Sequence, residues 1–193
     1  MAKNAKNFID KAYGLKWKII NSLDKDAPNN KTIVEKVEEY SNHLNTWGDE
    51  AVSKFIVDDE PLGNFIKSLI YDEYSEYKTC FVLKKINNKE TPIGVAVLSV
   101  DTRKKCKIED VVIDKNYRGK GLGTRMLSSI RDNVNEFVGY YPEIQEIYGL
   151  VRNDNHASQQ ALFNSGFICS SANTGYNGYR IFTSKPKSKG FTR

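Results

Sequence analysis

The chain has 193 residues and a mass of 22.0 kDa, enough for one domain with a two-layer core that needs no disulfide or metal staple. Its 39% hydrophobic and 27% charged residues exclude a disordered chain, and the absence of any apolar run of roughly 18 residues excludes a helical membrane span. The net charge of +5 suits a phosphate-bearing ligand without requiring one.

Leu15, Trp17 and Ile19 alternate with Lys16 and Lys18, the period-two pattern of a half-buried strand. Pro28-Asn29-Asn30 then breaks the chain. Thr32 and Glu35 have the capping-box spacing, and Ile33, Val37, Tyr40, Leu44 and Trp47 recur at helical intervals. A second helix is expected to start near Pro61, after the acids Asp58, Asp59 and Glu60, and to run through Ile66 and Ile70 to Tyr74 and Tyr77. From Thr79 the texture turns β-rich: 80–83, 93–100 and 108–113 read as an antiparallel meander with turns at Asn87-Asn88 and 101–105. Leu122, Met126, Leu127, Ile130, Val134, Phe137 and Val138 describe one helical face, ended by Tyr140-Tyr141-Pro142. A strand over 144–151 follows. The next helix is short, begins after Asn153-Asp154-Asn155 and stops at Ser165-Gly166. A hairpin of 167–172 and 179–183 closes the fold, and the basic tail from Lys185 to Arg193 is expected to be solvated. With no repeat or linker, 1–193 reads as a single domain.

The polar start MAKNAKNFIDK lacks a signal-peptide stretch, so a cytoplasmic location is expected. Cys80, Cys106 and Cys169 are an odd number, far apart in apolar segments, and read as buried free thiols. His43 and His156 are the only histidines, which excludes a multi-histidine centre; no metal is expected.

Arg118-Gly-Lys-Gly-Leu-Gly123 lies between the strand ending at Ile113 and the helix beginning near Leu122. Glycines at 119, 121 and 123 let the backbone turn tightly and bring unpaired N–H groups against a ligand, and the helix adds its positive N-terminal dipole. Arg118, Lys120 and Arg125 would bring charge-assisted hydrogen bonds to the same anion. The order Lys120-Gly121-Leu122 is not that of a Walker loop, and the third glycine comes too early for a dinucleotide fingerprint.

Two blocks carry a resemblance. Val111-Val-Ile-Asp-Lys-Asn-Tyr-Arg-Gly-Lys-Gly-Leu-Gly123 is similar to the coenzyme A signature of the GCN5-related N-acetyltransferase (GNAT) superfamily, and Asn155-His-Ala-Ser-Gln-Gln-Ala-Leu-Phe-Asn-Ser-Gly-Phe167 resembles that family's second block. The motif-bearing core is 79–183; residues 1–78 match only in element order. The resemblance implies an α/β (α+β) fold with a mixed, mostly antiparallel sheet of about seven strands and about four helices, splayed between its fourth and fifth strands, here 107–113 and 145–151. It implies acetyl-CoA as co-substrate and a small-molecule or peptide amine as acceptor, with no membrane partner. A nucleic-acid partner has only the tail and net charge in its favour, and a homodimer stays open.

Carried over residue by residue, Val111, Val112 and Ile113 match the bulged strand that pairs with the pantetheine arm and polarises the thioester carbonyl. Gly119, Lys120, Gly121, Leu122, Gly123 and Thr124 match the pyrophosphate loop, flanked by Arg118, and Asn155 matches the asparagine that meets the cofactor, with a plain helix cap as its alternative. Many members place a tyrosine acid four residues before the glycine of the Gly-Phe pair, where this chain has Leu162. A coenzyme A-binding sensor without turnover is therefore the rival to an acetyltransferase. For the base, Glu109 is expected, through a water, with Asp110 as its alternative; strand alternation alone points the two to opposite faces.

Overall fold

The fold is given by a computed structural model, which describes residues 5–47, 60–72, 76–139, 144–170 and 178–186. Among the described residues eight strands form one sheet: β1 Ala5–Asp10, β2 Leu15–Asn21, β3 Lys78–Ile86, β4 Lys89–Val100, β5 Lys105–Ile113, β6 Glu146–Arg152, β7 Ile168–Ser170 and β8 Tyr179–Ser184. Their order is β1-β2-β3-β4-β5-β6-β8-β7, antiparallel throughout except for the parallel pair β5/β6. Among the described residues there are five α-helices: α1 Lys31–Asn45, α2 Leu62–Tyr71, α3 Leu122–Asp132, α4 Val134–Val138 and α5 His156–Asn164. This is the mixed, mostly antiparallel class expected from the sequence. The extra strand, β1, places the splay between the fifth and sixth strands of the sheet.

The sheet separates two cores. Leu15, Trp17, Ile19, Cys80, Val82, Ala96, Leu98, Cys106 and Ile108 face α3, α4 and α5, where Met126, Ile130, Phe137 and Leu162 meet them. Ile20, Phe81, Val95 and Val97 face the other way, toward Val37, Tyr40 and Leu44 of α1 and Ile66 and Ile70 of α2. Alternating apolar positions along β2, β3 and β4 supply both layers, which is why their runs read as nearly continuous hydrophobic segments.

Several element boundaries depart from the sequence reading. The second helix ends at Tyr71, with Tyr77 outside it, because Asp72 adopts extended backbone (φ −79°, ψ 101°); Tyr74 lies outside the described residues. The helical face from Leu122 to Val138 is broken at Asn133 (φ −132°) into α3 and α4. Asn133 leaves the helix to donate to Asp10 Oδ2 (3.0 Å) and to the Ser129 carbonyl (3.2 Å). Asp10 also accepts from Ser129 Oγ (2.6 Å), and Ser129 accepts from Trp17 Nε1 (3.1 Å), so one buried polar chain ties the β1–β2 hairpin to α3. Tyr140-Tyr-Pro142, Asp58, Asp59, Ala172 and the tail beyond Pro186 lie outside the described residues.

Candidate functional site

Strands β5 and β6 run parallel only over Lys105↔Glu146, Cys106↔Ile147, Lys107↔Tyr148 and Ile108↔Gly149. Beyond Ile108 their ladder stops. Among the described residues, 109–113 of β5 then keep β4 on one side and have no strand on the other, while Leu150, Val151 and Arg152 of β6 pair with β8 alone. An open V results, whose β5 wall offers the backbone of residues 109–113 to an extended ligand.

Across β4 the register slips at the same place: Val97 pairs with Asp110 and Leu98 with Ile108, leaving Glu109 as an unpaired bulge residue. The bulge changes which way the acids face. Ile108 and Val111 both pack in the α3-side core, whereas Val112 packs with the α1/α2 core. Glu109 and Asp110 thus fall together on the α1/α2 face, which corrects the expectation from simple alternation that they point to opposite faces.

Glu109 accepts from Ser99 Oγ (2.6 Å) and pairs with Lys107 Nζ (2.5 Å). That ammonium is pulled down by burial, but its bond to Glu109 and the charge of Glu109 outweigh this and leave it raised. Asp110 differs: it has no hydrogen-bond or ion-pair partner among the described residues. Burial pushes its carboxyl up, the neighbouring charge of Glu109 adds to this, and Lys107 opposes it. Tyr148, opposite Lys107 on β6, is likewise pushed up by burial, which keeps its phenol protonated at neutral pH. Lys107, Ser99 and Tyr148 are the site residues that the sequence reading missed. The Lys-x-Glu alternation could have flagged Lys107, but Ser99 and Tyr148 need the strand register.

At the far end of β5, Asp114 accepts from the Asn116 N–H (2.9 Å) and starts a single 3-10 turn, Lys115–Tyr117. Gly119 (φ 70°) and Gly121 (φ 72°) adopt the left-handed conformation that costs other residues free energy, and Gly121 is the N-cap of α3. Among the described residues no side chain caps that terminus, which leaves the first N–H groups of α3, at Leu122, Gly123 and Thr124, to a ligand or solvent. A Cβ on Gly119 or Gly121 would meet nothing within 4 Å, whereas one on Gly123 would press on Ile113 Cδ1 at 3.2 Å. The loop is open in front and packed behind.

The basic side chains beside the loop reach backbone carbonyls. Arg118 Nε donates to the Ile113 carbonyl (2.8 Å), Lys120 Nζ to the Asn116 carbonyl (2.7 Å) and Arg125 Nη1 to the Tyr13 carbonyl (3.3 Å). Leu122 is a core residue, available only through its backbone. Asn155 caps α5, its side-chain oxygen accepting from the Ser158 N–H (3.1 Å), and its amide N–H groups have no partner among the described residues. Leu162 is buried among the α3-side apolar residues, and Phe163 stacks edge-on against Phe182 (5.0 Å), so α5 presents no hydroxyl at the usual tyrosine position. Among the described residues no three His, Cys, Asp or Glu side chains gather as a metal site, and no helix is long and apolar enough to cross a membrane.

A family model described as the acetyltransferase (GNAT) family matches residues 34–167. Comparison with curated protein sequences finds no match. Among solved structures, the GNAT domain of S. lividans PAT is similar with a TM-score of 0.60 at 11% identity, over 96% of this chain and 98% of that one. A domain from Methanocaldococcus jannaschii follows at 0.59 and 16% identity, over 89% of this chain and 99% of that one. The ribosomal-protein-S5-alanine acetyltransferase from Vibrio fischeri aligns at 0.59 and 12% identity, over 95% and 98%. At these identities the likeness speaks for the fold.

Proposed function

The chain belongs to the acetyltransferase (GNAT) family, and from that premise we propose that it binds acetyl-CoA in the β5/β6 splay and moves the acetyl group to a primary amine by direct attack. The observation that carries this reading is the end of the parallel ladder at Ile108↔Gly149 beside an uncapped α3 N-terminus. A coenzyme A arm needs an unpaired strand edge for its amides and a helix N-terminus for its pyrophosphate, and both lie along β5. In this reading Val111, Val112 and Ile113 line the arm, a backbone N–H of the bulged strand meets the thioester oxygen as it gains charge, and Gly119 to Thr124 hold the pyrophosphate. Asn155 offers its free amide N–H groups nearby.

On the α1/α2 face, Glu109 and Asp110 draw in a cationic amine. Glu109 is already engaged by Lys107 and Ser99, so Asp110, unpaired and with its carboxyl pushed up, takes the role of proton acceptor and Glu109 orients the amine. The bound ammonium first gives one proton to Asp110; the freed lone pair of its nitrogen forms the new bond to the acetyl carbon, the carbon–sulfur bond breaks with its electron pair on the thiolate, and the nitrogen's second proton passes to solvent as the thiolate takes one up. With Leu162 in the core, no α5 tyrosine protonates the sulfur. Tyr148, a neutral phenol beside Lys107, is the hydroxyl we assign to that step.

Binding is tested by melting with acetyl-CoA, since a ligand selective for the native state raises the melting temperature by mass action. At millimolar acetyl-CoA the wild type should shift upward. Gly121→Val should lose the shift and melt lower even without ligand, because valine at φ 72° costs on the order of 1–2 kcal/mol. Equal shifts in both proteins would remove the loop from the cofactor site. The buried Leu162 favours one rival, a coenzyme A-binding module without turnover, which would show the shift but release no thiol with any amine.

A further inference from the structure

Strands β1 to β5 pack side chains into or against both helical layers. Strands β6, β7 and β8 serve only one. Ile147, Val151 and Phe182 lie in the α3-side core and Cys169 packs against it, so alternation turns Leu150, Ile181 and Ile168 to the opposite face. No described residue of these three strands joins the α1/α2 core. Leu150 and Ile181 are direct partners in the β6/β8 register and both are half-buried, yet neither belongs to a core, and Ile168 on β7 is 72% exposed. Among the described residues an apolar strip therefore lies uncovered across this half of the sheet, and contiguous apolar surface rimmed by polar groups marks a binding site. The strip starts at the mouth of the V. Tyr148 pairs with Lys107 inside the parallel ladder, and Leu150, the next β6 residue on that face, lies just past the ladder's end at Gly149, across from Glu109 and Asp110. On β5, β6 and β8 Glu109 is paired with Lys107 (2.5 Å) and Glu146 with Lys105 (2.7 Å), which leaves Asp110 as the one unpaired carboxylate of these strands.

We propose that Leu150 and Ile181 select the acceptor, and that the acceptor is a primary amine with a single positive charge next to a compact apolar group. The ammonium meets Asp110 and the apolar group covers Leu150 and Ile181. The inference rests on the acetyl-transfer reading of the splay and adds to it the class of the amine. A polyamine fits poorly, because its second ammonium finds no unpaired carboxylate on these strands. An aminosugar fits poorly for another reason: its hydroxyls would lose water against two aliphatic side chains that return no hydrogen bond. Two sources share the favoured chemistry, a small hydrophobic amine and a peptide whose first side chain is apolar.

The test is calorimetric titration of the full chain with 2-phenylethylamine in the presence of coenzyme A, which leaves no acetyl group to transfer. Saturable binding is expected, with ethylamine, 1,4-diaminobutane and glucosamine each about tenfold weaker or more. Leu150→Thr and Ile181→Thr keep strand-forming side chains but remove apolar area, and each should weaken 2-phenylethylamine about fivefold while leaving ethylamine unchanged. Leu150→Met, apolar and of similar volume, should bind like the wild type. So should Ile9→Thr, which alters an exposed apolar residue on the far edge strand. A tripeptide amide that begins with phenylalanine, set against triglycine amide, separates the two sources: the peptide is the better fit if it binds more tightly than 2-phenylethylamine, and the small amine if it does not. The inference is overturned if no amine of the set binds, if the diamine or the aminosugar binds as tightly as 2-phenylethylamine, or if both threonine variants still favour 2-phenylethylamine over ethylamine as strongly as the wild type. The acetyl-transfer reading fails separately, when acetyl-CoA shifts no melting curve or yields no thiol while 2-phenylethylamine still binds and Leu150→Thr still weakens it.

Discussion

At the scale of single residues, the proposed chemistry rests on two adjacent carboxylates in unlike surroundings. Asp110 is held above its ordinary value of 3.8 by burial and by the charge of Glu109. An acid raised in the folded state binds more protons folded than unfolded between its two pKa values, so folding stability falls as pH rises through that interval. Asp110→Asn removes this penalty. It should therefore melt higher than the wild type at pH 7, with the gain vanishing below pH 3.8, while kcat drops by about 100-fold or more and acetyl-CoA affinity holds. Unchanged kcat, or a gain in stability that persists in acid, would contradict the assignment. The glycine loop was legible in the sequence because spacing alone demands its backbone: Gly119 and Gly121 sit where a positive φ is needed before a helix. The facing of Glu109 and Asp110 was not legible, since the bulge that brings them together is set by pairing with Val97 and Leu98 and leaves no mark in β5 itself.

At the scale of elements, α1 and α2 wall the face on which the two acids lie, and they approach each other through Gly63. A Cβ there would stand 1.9 Å from the Ser41 carbonyl oxygen and 2.5 Å from Asn45 Oδ1, the atom that accepts the Gly63 N–H at 2.7 Å. Gly63→Ala must push the helices apart and should cost about 1–3 kcal/mol, read as a lower denaturant midpoint. Because the shift falls on the proposed acceptor side, KM for the amine should rise while acetyl-CoA binding is preserved; a midpoint equal to that of the wild type would disprove the tight crossing. Both helices were foreseen from their apolar periodicity. Strand β1 was not, because Ala5-Lys-Asn-Phe-Ile-Asp10 lacks clean alternation and leaves Ile9 exposed; pairing with β2 and the Asp10–Ser129 bond hold it in the sheet. The break at Asn133 was hidden for a related reason, as the apolar stripe continues across it and only the bond to Asp10 shows why the helix stops.

At the scale of the molecule, the sheet keeps two apolar layers apart and opens only where β5 parts from β6. Cys80 and Cys106 lie deep between these layers, and burial pushes both thiols far up, Cys106 to about 12, whereas Cys169 is only partly buried. Native protein should therefore react with a thiol reagent at Cys169 alone, and at all three cysteines after denaturation; rapid native labelling of Cys80 or Cys106 would show that the layers are looser than described. The overall class was readable from element order and two motifs. The strand order was not, because it depends on β8 inserting between β6 and β7. The central claim is that the splay is a working acetyl-transfer site, and the most direct test is to quantify free coenzyme A released from acetyl-CoA with a panel of a peptide N-terminus, a polyamine, an aminosugar and an antibiotic amine. The account predicts release that depends on at least one amine, matches the acetylated product mole for mole and is lost in Asp110→Asn. Binding of acetyl-CoA without amine-dependent release across the whole panel would contradict it.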